Sequence, residues 1–207
     1  MADRKYLMRK RAEGQDATRE RIVEATAALH SEQGVAATSY LQIAERAGVG
    51  AATVYRHFPT LGSLVMACGA LVSEVMQPPL PEKAPAVFAG LGTRQQRLER
   101  LVAELDAFYE RGATWLGIAA RDRDSIPELD GFLRQVDAGV EALVREAVGT
   151  GSSEAAVRLM TALADVSVWR SLKRLDMPRT EFRRTMTGLL DCAAAVAAQD
   201  QESPAQR

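Results

Sequence analysis

SYLQIAERAGVGAATVYRHF, Ser39 to Phe58, is the stretch whose reading decides the fold. Ser39 and Gln42 have the S-x-x-Q spacing of a capping box, so a helix is expected from Tyr40. Ile43, Ala44 and Ala47 fall on one side of it at helical spacing. Gly48 follows where a helix needs a left-handed cap, a conformation glycine adopts without Cβ strain. Val49 can plug the corner. A second helix is expected from Ala51 to His57, with Val54 and Phe58, four apart, facing back onto the first. Ala44 is small and lets the two axes approach. Helix, glycine turn and helix together make a helix-turn-helix, whose second helix enters the DNA major groove.

With the helix before it, the stretch resembles the TetR family of bacterial transcriptional regulators. The matching residues are Ile43-Ala44, Ala47-Gly48-Val49 and Thr53-Val54-Tyr55-Arg56-His57-Phe58-Pro59. The resemblance covers residues 18–66, about a quarter of the chain, and the T-V-Y-R-H-F-P run is its most specific part. After the proline the family usually carries a small hydroxyl residue, a basic residue and an acidic one. Thr60 keeps the hydroxyl, but Leu61 and Gly62 replace the other two. In the family the basic residue reaches a backbone phosphate, so the resemblance implies one such contact fewer per subunit and a shallower salt dependence.

Working outward, a preceding helix is expected over 18–33, with Ile22, Ala25, Thr26 and Leu29 at helical spacing and Gly34 ending it. His30 reads as a capping or surface residue near that end. Residues 1–17 read as a flexible basic arm, carrying Arg4, Lys5, Arg9, Lys10 and Arg11. Either it is a solvated tail, or it lies along phosphates or in a minor groove. The net charge of −1 is unevenly divided. Residues 1–60 carry nine Lys and Arg against seven Asp and Glu, and the remainder 17 against 20. That division suggests a small reading head on a neutral or acidic body rather than a uniformly basic surface.

Beyond Pro59, helices are expected over 61–76, 93–110, 125–147, 153–175 and 180–199. Each carries an apolar stripe, as in Leu64, Cys68, Leu71 and Val75. Thr93 with Gln96 and Ser125 with Glu128 read as further capping boxes. Four prolines in 77–92 cannot continue a helix and mark a loop, with room for a short turn around Ala86–Gly90. Gly112 is expected to cap the helix ending near Glu110. No run alternates with period two. The fold class is therefore all-α with about nine helices. It comprises a three-helix head at 18–63 with its motif at 39–58, a ligand-binding and dimerisation body at 64–199, and a disordered tail at 200–207.

The candidate DNA contacts follow from the faces. Ala51, Ala52, Thr53, Tyr55 and Arg56 point away from Val54 and Phe58. Arg56 has the fork that matches guanine O6 and N7, and it can equally clamp a phosphate. Ala51 and Ala52 leave room for close approach or meet a thymine methyl. Ser39 and Thr60 can offer hydroxyls or helix-start amides to phosphates. Tyr55 and His57 resemble the family's phosphate-contacting pair. One such short helix reads few base pairs, so a homodimer reading a palindromic operator is expected. Its interface would be the last two long helices, where Ala193, Ala194, Ala195, Ala197 and Ala198 permit close packing; they can also simply reflect helix propensity. The resemblance also implies a four-helix dimer interface and a small-molecule pocket whose occupancy moves the DNA heads. Phe108, Trp115, Phe132, Met160 and Trp169 are candidate pocket walls, and Asp165 a partner for a cationic group. Each can equally be ordinary core or surface.

Three other classes compete. Catalysis has little to rest on: two histidines 27 residues apart, no cysteine cluster for a metal, and no nucleophile elbow or phosphate loop. No cofactor or metal site is therefore expected. A ligand-free architectural DNA-bending protein would be smaller and more basic. A ligand-binding relative with weakened DNA binding is suggested by Leu61 and Gly62. Cys68 and Cys192 stand far apart and read as reduced thiols. With neither a signal peptide nor an apolar run near the length of a spanning helix, a cytoplasmic location without a membrane partner is expected.

Overall fold

A computed structural model describes the backbone of residues 2–202, and the side chains of 13–197 together with those of residues 6 and 10. Among the described residues it is helix and turn, without strands. Nine helices exceed one turn: α1 (Ala2–Gln33), α2 (Tyr40–Ala47), α3 (Ala51–His57), α4 (Leu61–Met76), α6 (Arg94–Asp122), α7 (Pro127–Val148), α8 (Glu154–Leu163), α9 (Val166–Lys173) and α10 (Arg179–Glu202). A single turn, α5 (Ala84–Val87), follows a 3-10 turn at Pro81–Lys83. The all-α expectation holds. The contacts group residues 1–75 with 118–132, and residues 76–117 with 133–207, into two compact units.

The first unit is built on α1 to α4. Ile22 and Leu29 of α1, Ile43 and Ala44 of α2, Val54 of α3, Phe58, and Leu64 of α4 form one buried cluster. Each large aliphatic removed from water in this way contributes about 1.5–3 kcal/mol. Thr26 is buried among them because its hydroxyl donates to the Ile22 carbonyl, 2.7 Å away in the preceding turn. The Arg19 guanidinium sits 5.2 Å over the Phe58 ring, a cation–π contact that covers the rim of the core. The turn between α1 and α2 is held by the last residue of α6. The Asp122 carboxylate accepts from the amides of Val35 at 2.8 Å and Ala36 at 3.0 Å. Arg121 pairs with the other carboxylate oxygen at 3.0 Å and also donates to the Gln33 carbonyl.

α1 begins at Ala2 rather than near Thr18. Apolar periodicity starts only where burial starts. The preceding residues are mostly good helix formers without proline, so the backbone stays helical beyond the packed stripe. His30 is a correction of another kind. It is 6% exposed rather than at the surface, and its Nδ1 lies 3.6 Å from the Cys68 Sγ.

In the second unit, Leu98, Leu101, Leu105 and Phe108 of α6 are buried, as are Val140 and Val144 of α7. So are Met160 of α8 and Phe182, Met186 and Leu190 of α10. α8 and α10 pack together. Asp106 of α6 has no exposed side-chain surface. It is paired with Lys173 at 3.2 Å and with Arg179 and Arg183 at 2.9 Å each, and it accepts from the Trp169 indole at 3.2 Å. Burial opposes its ionisation. The hydrogen bonds from Arg179, Arg183, Trp169 and Lys173 outweigh burial and hold its pKa below the usual carboxylate range.

Three boundaries differ from expectation. Gly112 does not cap a helix, and α6 runs straight through it to Asp122. A Cβ at Gly112 would come within 3.0 Å of the Met76 side chain, so the residue is small for packing. The helix expected over 153–175 is broken at Asp165. That residue has an extended backbone and caps α9 by accepting from the Ser167 amide at 2.7 Å. Ser125 does not form a capping box with Glu128: it closes a 3-10 turn, and α7 starts at Pro127 after an extended Ile126, as the residue before proline prefers. The Thr93–Gln96 box is present, with both bonds at 3.2 Å.

By length and composition, Leu61–Val87 is apolar enough to cross a membrane, at mean hydropathy 1.3, which the sequence reading missed. Within it α4 stops at Met76, and its 16 residues span only about 24 Å. Residues 200–202 complete α10, and the rest of the expected tail lies outside the described residues.

Candidate nucleic-acid interface

The recognition hairpin is set by its caps. Ser39 has an extended backbone; its Oγ accepts from the Gln42 amide at 3.3 Å, and Gln42 Oε1 accepts from the Ser39 amide at 2.9 Å. The capping box is complete, so the Ser39 hydroxyl is already partly engaged. Gly48 ends α2 at φ +64°, ψ +41°, the left-handed conformation expected of it. The Val49 amide then donates to the Ala44 carbonyl at 3.0 Å, closing the turn. Gly50 opens α3, and the Thr53 amide donates to its carbonyl at 2.8 Å. Val54, fully buried, pins α3 to the core.

That anchoring leaves the rest of α3 outward. Tyr55 is 53% exposed; Ala52 and Arg56 are exposed, while Ala51 and Thr53 are half-buried. Ala51 packs against the core, which turns part of its methyl away from solvent. The Arg56 guanidinium reaches only the Thr53 hydroxyl, at 3.5 Å, so its donors are largely free. His57 is half-buried, its ring 6.5 Å from that of Phe58. Thr60 is exposed but serves α4: its Oγ1 accepts from the Ser63 amide at 3.1 Å, and the Ser63 hydroxyl accepts from the Thr60 amide at 3.4 Å.

Sequence reasoning missed Tyr40. Its ring stacks on Tyr55, with centroids 4.3 Å apart and planes 9° from parallel. Its hydroxyl donates to the Phe58 carbonyl at 3.0 Å. Tyr40 therefore ties α2 to the end of α3 and fixes the Tyr55 ring. Burial, then Tyr55, raise the Tyr40 pKa, so it stays a neutral donor. The two tyrosines lie 15 positions apart, which no periodicity links.

The departure at 61–62 has a partial physical account. Gly62 is buried, and a Cβ there would collide with the Glu128 carboxylate. No other side chain fits while Glu128 holds that place. Leu61 is 38% exposed on the first turn of α4.

The six residues expected to line an effector pocket are divided between the two units. Phe132 belongs to the first unit, where its ring lies beside Gly69. The other five lie in the second. Phe108 and Met160 are buried core, and Trp169 is committed to Asp106. Asp165 is an exposed helix cap. Trp115 is half-buried, and its indole N–H is buried with no hydrogen-bond partner. The Thr161 hydroxyl on α8, which the sequence did not single out, is unpartnered in the same way.

Comparison with known proteins converges on the same hairpin. Residues 22–68 match the family model described as bacterial regulatory proteins, tetR family. Over 199 residues the chain is 28% identical to the HTH-type transcriptional repressor KstR of Mycobacterium tuberculosis, covering 93% of this chain and 86% of that one. It is 36% identical over 101 residues to KstR of Mycolicibacterium smegmatis, covering 48% and 47%. Among solved structures, a tetR-family transcriptional regulator from Streptomyces coelicolor superposes with TM-score 0.64 at 18% identity, covering 90% of this chain and 84% of that one. A transcriptional regulator from Rhodococcus sp. superposes with TM-score 0.56 at 22% identity, covering 88% and 96%. At those identities the structural likenesses establish the fold alone.

Proposed function

We propose that the chain is a member of the tetR family of bacterial regulatory proteins, which its residues 22–68 match, and that it is a transcriptional repressor released from a palindromic operator by a small-molecule ligand. The observation that carries the reading is α3. Seven residues are pinned by one fully buried valine, with Tyr55 and Arg56 turned to solvent on a hairpin held by caps at both turns.

Arg56, Ala52 and Thr53 read base edges or phosphates from the major groove. Tyr55 and His57 contact phosphates, with Tyr55 preset by its stack on Tyr40. Ser39 and Thr60 offer their helix-start amides and the remaining capacity of their hydroxyls, and Ala51 allows close approach. The basic residues within 1–17 add phosphate contacts. The reading domain is 18–63, and 64–199 is the ligand-binding and dimerisation domain of a cytoplasmic homodimer. On α10, Leu189 and Val196 are exposed apolar residues on one face, and Leu159 is exposed on α8; these helices are the dimer surface. The buried, unpartnered donors of Trp115 and Thr161 are the groups that an effector in the second unit would satisfy. Such a ligand acts by binding one arrangement of the dimer more tightly than the other.

The test is selection of bound sequences from a random duplex library, followed by a salt titration of the winner. A palindrome with half-sites about one helical turn apart, bound at roughly 10⁻⁸–10⁻¹¹ M, is the expected result. Leu61 favours a second reading, a family member with weakened DNA binding, because an apolar residue is exposed where the family places a phosphate-contacting cation. Failure to enrich any site would select that reading instead.

A further inference from the structure

Between the amino-terminal half of α6 and the first half of α10 lies a half-open cleft of about 610 Å³. That volume is within the range of sites for small organic molecules. None of the residues expected to line an effector pocket borders it. We propose that this cleft is a binding site for a small organic anion, with a carboxylate or phosphate group held between Arg183 and Arg184.

Four observations carry the assignment. First, the two arginines are unequally engaged. Arg183 lines the cleft and gives its Nε to the fully buried Asp106, which leaves its two Nη groups uncommitted by that bond. Arg184 is exposed and has no ion pair among the described residues. Second, Thr187 lines the cleft and is only 6% exposed, yet its hydroxyl takes no part in the hydrogen bonds found among the described residues. A hydroxyl of a lining residue with no protein partner is available to a ligand. Third, Thr180 places the first turn of α10 at the cleft, where unpaired amides and the helix dipole favour negative charge. Fourth, the acids in the lining balance the arginines without outnumbering them, Glu99 and Asp191 against Arg183 and Arg184. Asp191 is answered by Arg94 at 2.9 Å, and Glu99 accepts from the Gln95 amide at 2.7 Å. Glu99 remains as an acceptor, which suits a ligand that carries a hydroxyl or amine beside its anionic group.

The cleft also lies on its own face of α10. Thr180, Arg184, Thr187 and Asp191 recur at helical spacing along one side, while the exposed apolar residues Leu189 and Val196 occupy another. A second copy seated on the apolar side would leave the cleft open.

The experiment is calorimetric titration of the full-length protein with phenyl phosphate, benzoate, inorganic phosphate and benzyl alcohol. The organic anions bind at one site per chain, inorganic phosphate binds more weakly, and benzyl alcohol does not bind. Arg184→Ala weakens the anions roughly tenfold, the loss of one charge-assisted contact. Thr187→Val, which keeps the shape, weakens them roughly threefold. Both variants keep the wild-type unfolding temperature, because neither side chain is bonded elsewhere. A preference for phenyl phosphate over benzoate, or the reverse, tells phosphate ligands from carboxylates. Unchanged affinity in Arg184→Ala, equal binding of benzyl alcohol, or no binding of either organic anion to the wild type would overturn the assignment.

Discussion

His30 shows how one buried side chain makes the first unit sensitive to acid. Burial lowers its pKa from 6.5 to about 4, against a smaller raising influence from Asp122. The unfolded chain therefore binds a proton that the folded chain refuses between pH 6.5 and 4. Stability is full above 6.5 and falls as the pH drops through that window, by up to about 3 kcal/mol at its lower end. Urea unfolding at pH 7 and pH 4.5 should show that loss, and His30→Phe should flatten it. Its neighbour Cys68 has a thiol pushed up to about 12 by burial, so it stays protonated and unreactive. Leu61 is the second residue worth changing. It is partly exposed at the start of α4, so Leu61→Lys should fold normally and restore a cation beside the hairpin. The expected outcome is tighter operator binding and a salt slope steeper by about one per subunit, read from affinity against salt concentration. An unchanged slope would place Leu61 off the DNA.

At the scale of the element, the decisive piece is the end of α6. Asp122 accepts two amides of the α1–α2 turn while remaining nearly buried. Burial raises its pKa, but the bonds from Arg121, Ala36 and Val35 prevail and leave it lowered. Asp122→Ala should strand both amides and cost about 2–4 kcal/mol. Hydrogen exchange at Val35 and Ala36 should rise before that of the α2 and α3 interiors. None of this was visible from sequence, because a carboxylate 86 positions from the amide it receives leaves no local pattern. What was legible is what local chemistry decides. The Ser39 box and the Gly48 cap came directly from spacing, and both stand. The apolar stripes of α4, α6 and α7 were read the same way. What misled was punctuation with two meanings. Gly112 looked like a stop and is a packing notch for Met76, while Asp165, read inside a continuous helix as a surface or ligand-facing carboxylate, is a stop. Glycine and aspartate serve both purposes, and only the neighbours across the fold distinguish them. An effector pocket is the least legible from sequence, since large apolar residues look alike whether they fill a core or line a cavity.

At the scale of the whole molecule, the proposed function depends on pairing. α3 has seven residues and cannot read an operator alone, so affinity must come from two copies acting together. Leu189 and Val196 on α10 and Leu159 on α8 are 39%, 48% and 40% exposed. A lone chain has no reason to align apolar side chains along one side of its last helix, and a two-fold contact would cover them. Charges placed there should separate the copies with little effect on the interior, because Leu189 and Val196 are exposed at the edge of the buried stripe that carries Phe182, Met186 and Leu190. Leu189→Arg combined with Val196→Arg should therefore convert a dimer of about 45 kDa into a folded monomer of 22.5 kDa, measured by light scattering, with an unchanged helical spectrum. Operator affinity should fall by about 10²–10⁴-fold, since the second head no longer acts at the effective concentration set by the first. Affinity for an isolated half-site should not change. A variant that stays dimeric would move the interface off α10. A monomer that binds the full operator as tightly as the wild type would remove the reason for pairing and, with it, the link between a ligand in the second unit and release from DNA.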